Sequence, residues 1–192
     1  MLKRLLLGGL ASLALALPAW ATSVLPLYFD QIVDMSAVAF QGICTGNRVG
    51  RDEKGFVATY TTFLVQDVLK GEAGQTYTIK QIGGELPDGS LRVKMHGTPT
   101  FTQGGRYIVF LNGVSSAGFS SPVGLFQGRF TVIVDDAGPQ VTNGRDFKAM
   151  TSRMAEQVTP QAKAKMSVTG PVDRMGLDDF KAMVRGRVGA IK

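Results

Sequence analysis

One stretch constrains the fold more than any other. Residues Phe56 to Leu69 read FVATYTTFLVQDVL, fourteen consecutive positions rich in β-branched and aromatic side chains. Such residues suit a pleated, half-buried surface better than the crowded turn of a helix. A common strand runs ~5–6 residues, so a strand this long is expected to bend strongly along its length. Strong bending is a device of small closed barrels.

The flanking segments fit that reading. Ala37 to Gly46 (AVAFQGICTG) is small and apolar and reads as a buried strand, with Gly42 and Gly46 marking a bulge or sharp bend. Asn47 to Gly55 is polar and reads as the turn into the long strand. Thr76 to Ile82 (TYTIKQI) is a third strand, ended by Gly83-Gly84. Glu85 to Gly105 is irregular, with a short strand expected at Leu91–Lys94. Arg106 to Asn112 (RYIVFLN) is apolar on both alternating faces, so it should be covered on both sides. Leu125 to Asp135 reads as a strand pair or one bulged strand, and Pro139 to Thr142 as a short edge strand after the Asp136-Ala137-Gly138 turn.

Helical spacing appears only at the two ends. Leu27, Ile32 and Val33 predict a short amphipathic helix within Leu25–Ser36. Phe147, Met150, Met154 and Val158 recur at helical intervals, and so do Leu177, Phe180, Val184 and Val188. Asp178 and Asp179 in the first turn of the last helix, and Arg185 and Arg187 near its end, suit the helix dipole. The expected architecture is mainly β. It is a small, bent, antiparallel, OB-like barrel with a short N-terminal helix and one or two C-terminal helices. The barrel domain is expected over 22–145 and a helical extension over 146–192, with a polar linker at 159–175.

Residues 1–21, MLKRLLLGGLASLALALPAWA, read as an address. Lys3 and Arg4 precede an apolar run from Leu5 to Leu17 that matches the ~7–15 residues of a signal-peptide core. It falls short of the ~20 residues that span a bilayer. Ala19 and Ala21 are the small residues a signal peptidase requires, so cleavage is expected between Ala21 and Thr22. The mature chain would be exported, periplasmic or secreted, with no stable membrane anchor. Removing Lys3 and Arg4 leaves 19 basic and 15 acidic residues, a mild net of +4. The positive residues are scattered, so nucleic acid is not expected as a partner.

The catalytic inventory is thin. One Cys excludes an intrachain disulfide framework and a multi-cysteine zinc site, and one His removes every two-histidine metal motif. Cys44 lies in an apolar strand and reads as a small buried residue rather than a nucleophile. His96 falls in a loop. Ser115, Ser116, Ser120 and Ser121 occur without the G-x-S-x-G pattern. The carboxylates that could work in pairs are Asp67, Glu72, Glu85, Asp88, Asp135 and Asp136. Asp88-Gly89 and Asp135-Asp136-Ala-Gly are ordinary turn sequences, and the latter lacks the alternating spacing of a calcium loop. Met150, Met154 and Met183 read as core packing rather than a soft-metal site. No catalytic residue, cofactor or metal is assigned. What remains is a binding surface: Gly113 to Gly124 (GVSSAGFSSPVG) is a long Ser/Gly-rich loop carrying Phe119, with Ser116 and Ser120 beside it.

The segments AVAFQGICTG, YTTFLVQDVLKG, TIKQIGGE, PTFTQGGRYIVFLN and VGLFQGRFTV together carry a resemblance. Their pattern, including Val68-Leu69-Lys70-Gly71, Gly83-Gly84, Pro99, Phe101, Phe110-Leu111 and Gln127-Gly128, resembles a group of exported bacterial proteins of unassigned function over about residues 33–135. The resemblance implies a small β-barrel. At fold level the chain also resembles the OB-like inhibitory domain of the tissue inhibitors of metalloproteinases. That family inhibits through an N-terminal cysteine, whereas Thr22 stands at the expected mature N-terminus here, so the inhibitory mechanism does not carry over. The expected function is an exported, non-enzymatic binding or interaction protein, whose partner is a protein or small ligand outside the cytoplasm. A protease inhibitor or protease-associated factor, and a carboxylate-dependent hydrolase, are the alternatives.

Overall fold

The computed structural model describes residues 25–154 and 173–191. The expected signal peptide, Val158 and most of the expected 159–175 linker lie outside them. Helix α1 (Phe29–Met35) leads into β1 (Val38–Arg51) and β2 (Val57–Lys70). Strand β3 (Thr76–Ile82) follows, then the two-residue strands β4 (Gly84–Glu85) and β5 (Arg92–Val93). Strand β6 (Arg106–Leu111) precedes a 3-10 turn at Leu125–Gly128, β7 (Arg129–Asp135) and β8 (Gly138–Thr142). Helix α2 (Phe147–Thr151), strand β9 (Met175–Gly176) and helix α3 (Leu177–Ala190) complete the described chain.

The fold is mainly β. Seven strands form one antiparallel sheet in the order β3-β2-β1-β6-β7-β8-β9, while β4 and β5 pair separately. The sheet is bent and barrel-like rather than closed, because its edges β3 and β9 are not paired with each other. The sequence expectations differ from this in three places. Strand β1 continues through Asn47–Arg51, which reads as a turn by composition, because those residues pair with Val57–Thr61 of β2. Leu125–Gly128 forms a 3-10 turn before β7 rather than part of a strand. Strand β8 is not an edge, since β9 pairs outside it.

The bending has a local cause. In the β1–β2 ladder the register slips at three places, leaving Thr45, Gln66 and Leu69 as extra residues. An extra residue reverses which face the following side chains occupy. Phe63 and Val65 of β2 therefore contribute to one core and Leu69 to the other. Gly42 lies beside the Gln66 slip, where a Cβ would sit 3.0 Å from the Leu64 carbonyl oxygen. The odd-numbered side chains of this fourteen-residue strand thus change from one face of the sheet to the other.

Two cores result. Phe40, Cys44, Phe63, Ile79, Phe101, Tyr107, Val109 and Leu111 fill one side of the sheet, the inner core. The opposite side packs Phe29, Phe110, Phe130, Phe147 and Phe180 together with α1, α2 and α3. Strand β6 divides its side chains between them, Tyr107, Val109 and Leu111 to one and Ile108 and Phe110 to the other, as its two apolar faces predict. The helical stripe of α3 is also borne out: Phe180 and Val184 are buried, with Leu177 and Val188 against the same core. Ion pairs hold α3 in place. Asp67 meets Lys181 and Arg185, each at 2.8 Å, and Asp34 of α1 pairs with Arg187.

Candidate functional site

The 113–124 loop is stitched down rather than free. Ser115 N–H donates to the Phe119 carbonyl at 2.8 Å and Ser120 N–H to the Lys80 carbonyl at 2.9 Å, so the loop covers part of the β3 edge. The Lys80 ammonium pins it further. It pairs with Asp52 at 2.8 Å, donates to the Ala117 carbonyl at 2.9 Å and lies 4.3 Å over the Phe119 ring. Phe119 is half-buried against Phe56, Ser116 is exposed, and Ser120 is buried with its hydroxyl on the Asn112 carbonyl. Lys80's hydrogen bond holds the Asp52 carboxyl below its usual range.

A cavity of about 410 Å³ opens elsewhere, at the end of the inner core. Its floor is the sheet, through Asn47 of β1, Thr59 and Thr61 of β2, and Gln81 and Ile82 of β3. Its wall is the irregular segment from Val93 to Phe101. None of its lining residues belongs to the 113–124 loop. Three contacts fix the wall. Arg129 Nη1 donates to the Thr100 carbonyl at 2.8 Å, and Asn47 Nδ2 to the Phe101 carbonyl at 2.8 Å. Leu125 presses on Gly97, where a Cβ would come within 2.8 Å of Leu125 Cδ1 and where φ is +79°. Only glycine meets both conditions without strain.

The floor is a polar continuation of an apolar face. Along the inner side of β2, Val65 and Phe63 give way to Thr61 and Thr59, and along β3 Ile79 gives way to Gln81. Asn47 stands opposite Thr61, and Thr59 opposite Gln81, in the strand register. The hydrogen-bond accounting is nearly closed. Thr61 Oγ1 donates to Asn47 Oδ1 at 2.6 Å and Thr59 Oγ1 to the Gly83 carbonyl at 2.7 Å. Gln81 is the exception. It is 3% exposed, and its Nε2 has no hydrogen-bond partner among the described residues. An unpaired buried donor costs about 1–3 kcal/mol, so a native one calls for a physical reason.

The titratable groups singled out by sequence lie mostly apart from this floor. Cys44 is buried, and burial pushes its thiol pKa up. His96 is exposed on the wall of the cavity. None of the six carboxylates considered above lines it. Asp88 accepts from Ser90 N–H and Oγ, and Asp135 from Ala137 N–H, both in turns. Glu85 pairs with Arg92 across β4 and β5. Burial alone would raise the Asp67 pKa, but Lys181 and Arg185 together hold it below its usual range. Among the described residues no three of His, Cys, Asp and Glu come together as a metal site would require, and no helix is long and apolar enough to cross a membrane. Met150 is core, and Met183 packs against it.

Sequence reasoning passed over Thr59, Thr61 and Gln81. A signal for them existed. In TYTIKQI the core-facing alternation runs Tyr77, Ile79, Gln81, and a polar residue at a core-facing position is more informative than any exposed apolar one. Compared with known proteins, the chain matches no family model and no curated protein.

Proposed function

We propose that this is an exported, non-enzymatic binding protein whose small-molecule site is the cavity at the end of the inner core. The carrying observation is a cavity of about 410 Å³ that sets Asn47, Thr59, Thr61 and Gln81 of the sheet beside an apolar wall. Ligand sites of this kind are ~300–1,000 Å³, mostly apolar with a few placed polar groups, and favour the mouths of β-barrels. The apolar side chains of Ile82, Val93, Met95, Pro99 and Phe101 around Asn47, Thr59, Thr61 and Gln81 have that composition.

Export belongs to the same proposal. The protein acts outside the cytoplasm after cleavage between Ala21 and Thr22, without a membrane anchor, as the resemblance to exported bacterial proteins suggests. N-terminal sequencing of the exported form should begin at Thr22. The binding reading is tested by two-dimensional amide NMR of the chain from Thr22 to Lys192 with a library of uncharged fragments. Shifts at Thr59, Thr61 and the Gln81 side-chain amide are expected. If no fragment moves those resonances, the cavity is not a ligand site.

A further inference from the structure

Beyond the cavity, we infer that the opposite face of strands β1, β2 and β3 binds an acidic saccharide, with Arg48 holding the carboxylate of a uronate unit. The strand pattern is the starting point. Gly46, Arg48 and Gly50 of β1 stand opposite Thr62, Tyr60 and Ala58 of β2. Residues two apart share a face, so these lie on the side away from Asn47 and Thr61. On that side the end of β1 carries one side chain, Arg48, between two glycines. Neither glycine has left-handed backbone. A Cβ at Gly46 would meet nothing within 4 Å, and at Gly50 it would crowd only Arg48 Nη1, at 3.3 Å. Glycine weakens a strand, and inside one it marks a bulge or a close approach by another molecule. The ladder slips between Cys44 and Gly46, but it is regular at Gly50. The result is a trough of about 530 Å³, lined by Arg48 and Tyr60 with Thr45, Thr62 and Thr78. It shares only Asn47 with the cavity.

The accessible chemistry of this trough selects the ligand. The Arg48 guanidinium lies 4.4 Å from the centroid of the Tyr60 ring, which holds it in place. Arg48 is exposed and makes no ion pair or hydrogen bond through its side chain among the described residues. No acidic side chain lines the trough. A guanidinium held in this way offers two parallel N–H donors, which match the two oxygens of a planar carboxylate. A phosphate monoester would bring a second charge, and the trough has no second cation. The threonines supply the rest. Thr45 Oγ1 donates to the Thr62 carbonyl at 3.1 Å, and the Thr62 and Thr78 hydroxyls share one hydrogen bond at 2.9 Å. Whichever of the two donates, the other keeps its proton, and both oxygens keep lone pairs. Thr62 is half-buried and Thr78 exposed, so a ligand reaches the pair. Such groups suit the hydroxyls of a sugar ring. No Val, Leu, Ile, Met or Phe lines the trough, whereas a peptide laid on a sheet is selected through pockets for its side chains.

The test is amide NMR of the chain from Thr22 to Lys192 titrated with trigalacturonate. Maltotriose, triglutamate and a sulfated heparin disaccharide are the comparisons. Trigalacturonate should shift the Gly46, Gly50, Thr62 and Thr78 resonances with a dissociation constant of about 1 mM or below. Maltotriose should shift none of them. Arg48→Gln should weaken trigalacturonate about tenfold or more. Arg48→Lys keeps the charge but loses the fork, and should weaken it in the same direction. Arg51→Gln removes an exposed charge of the same strand outside the trough and should change little. Gly46→Val puts a side chain into open space, so the fold should persist while binding is lost. Equal weakening by Arg48→Gln and Arg51→Gln would mean general attraction to a positive chain and would overturn the inference. So would the absence of shifts with trigalacturonate, or tighter binding of triglutamate or of the sulfated disaccharide. Shifts confined to Thr59 and the Gln81 side-chain amide would place the probe in the cavity, which would support that site and overturn this one.

Discussion

Replacing Phe180 with Ala tests whether the C-terminal helix is part of the core or a cover laid over it. Phe180 is fully buried. Its ring meets those of Phe29, Phe110, Phe130 and Phe147 at centroid distances of 5.2, 6.2, 4.9 and 6.0 Å. Those partners come from α1, β6, β7 and α2, so the ring is where four separate elements meet. A buried Phe→Ala change costs about 3–5 kcal/mol through lost transfer energy and an unfilled cavity. Edge-on ring pairs contribute ~0.5–1.5 kcal/mol beyond their area, which places Phe180 in the upper part of that range. For a chain of this size each kcal/mol lowers Tm by ~2–4 °C, so a fall of roughly 6–20 °C is expected. Circular dichroism is the suitable probe, because Trp20, the single tryptophan, lies in the expected signal peptide. Urea titration supplies the free energy, and Phe180→Leu should cost much less than Ala. A loss under about 1 kcal/mol for Phe180→Ala, well below the buried-Phe range, would refute the argument and leave α3 as an accessory cover.

Acid stability should depend on the helix ion pairs. Arg187's hydrogen bond holds the Asp34 carboxyl below its ordinary pKa of 3.8, and Lys181 and Arg185 outweigh burial to do the same for Asp67. A depressed folded-state pKa contributes stability that is present above the unfolded value and is lost as pH falls through the folded one. Stability should therefore drop below about pH 4, and Asp34→Asn with Asp67→Asn should flatten that drop in denaturant titrations. An unchanged acid slope in the double variant would contradict the assignment. Cys44, fully buried with its thiol pKa raised by burial, should resist thiol reagents at neutral pH until the sheet opens. Labelling rates should then follow global unfolding as denaturant is added, and fast labelling of the native protein would count against the burial.

Local pattern was enough to place most strands and the terminal helices. The alternation in Arg106–Leu111 and the helical spacing of Phe180 and Val184 depend only on which side of a local element each residue faces, and both hold. Asn47–Arg51 was not legible as strand, because its polar composition says turn while its pairing with Val57–Thr61 is a matter of distant partners. The site was less legible still. By composition the 113–124 loop reads as a binding surface, and only the fold shows that Lys80, 37 residues from Ala117 in sequence, fastens it to the β3 edge.

By itself, then, the sequence determined a β-rich chain with helical ends and the alternating faces of its strands, since side-chain period is a property of neighbours. Tertiary structure alone decided that the long strand crosses from one core to the other, because the slips at Thr45, Gln66 and Leu69 exist only relative to a partner strand. It also decided where chemistry can occur. Thr61 and Thr59 carry no proton to spare only because Asn47 and the Gly83 carbonyl stand beside them, and Gln81 Nε2 lacks a partner among the described residues because the fold sets none beside it. Hydrogen-bond saturation is a relation among residues far apart in the chain, and no local pattern encodes it.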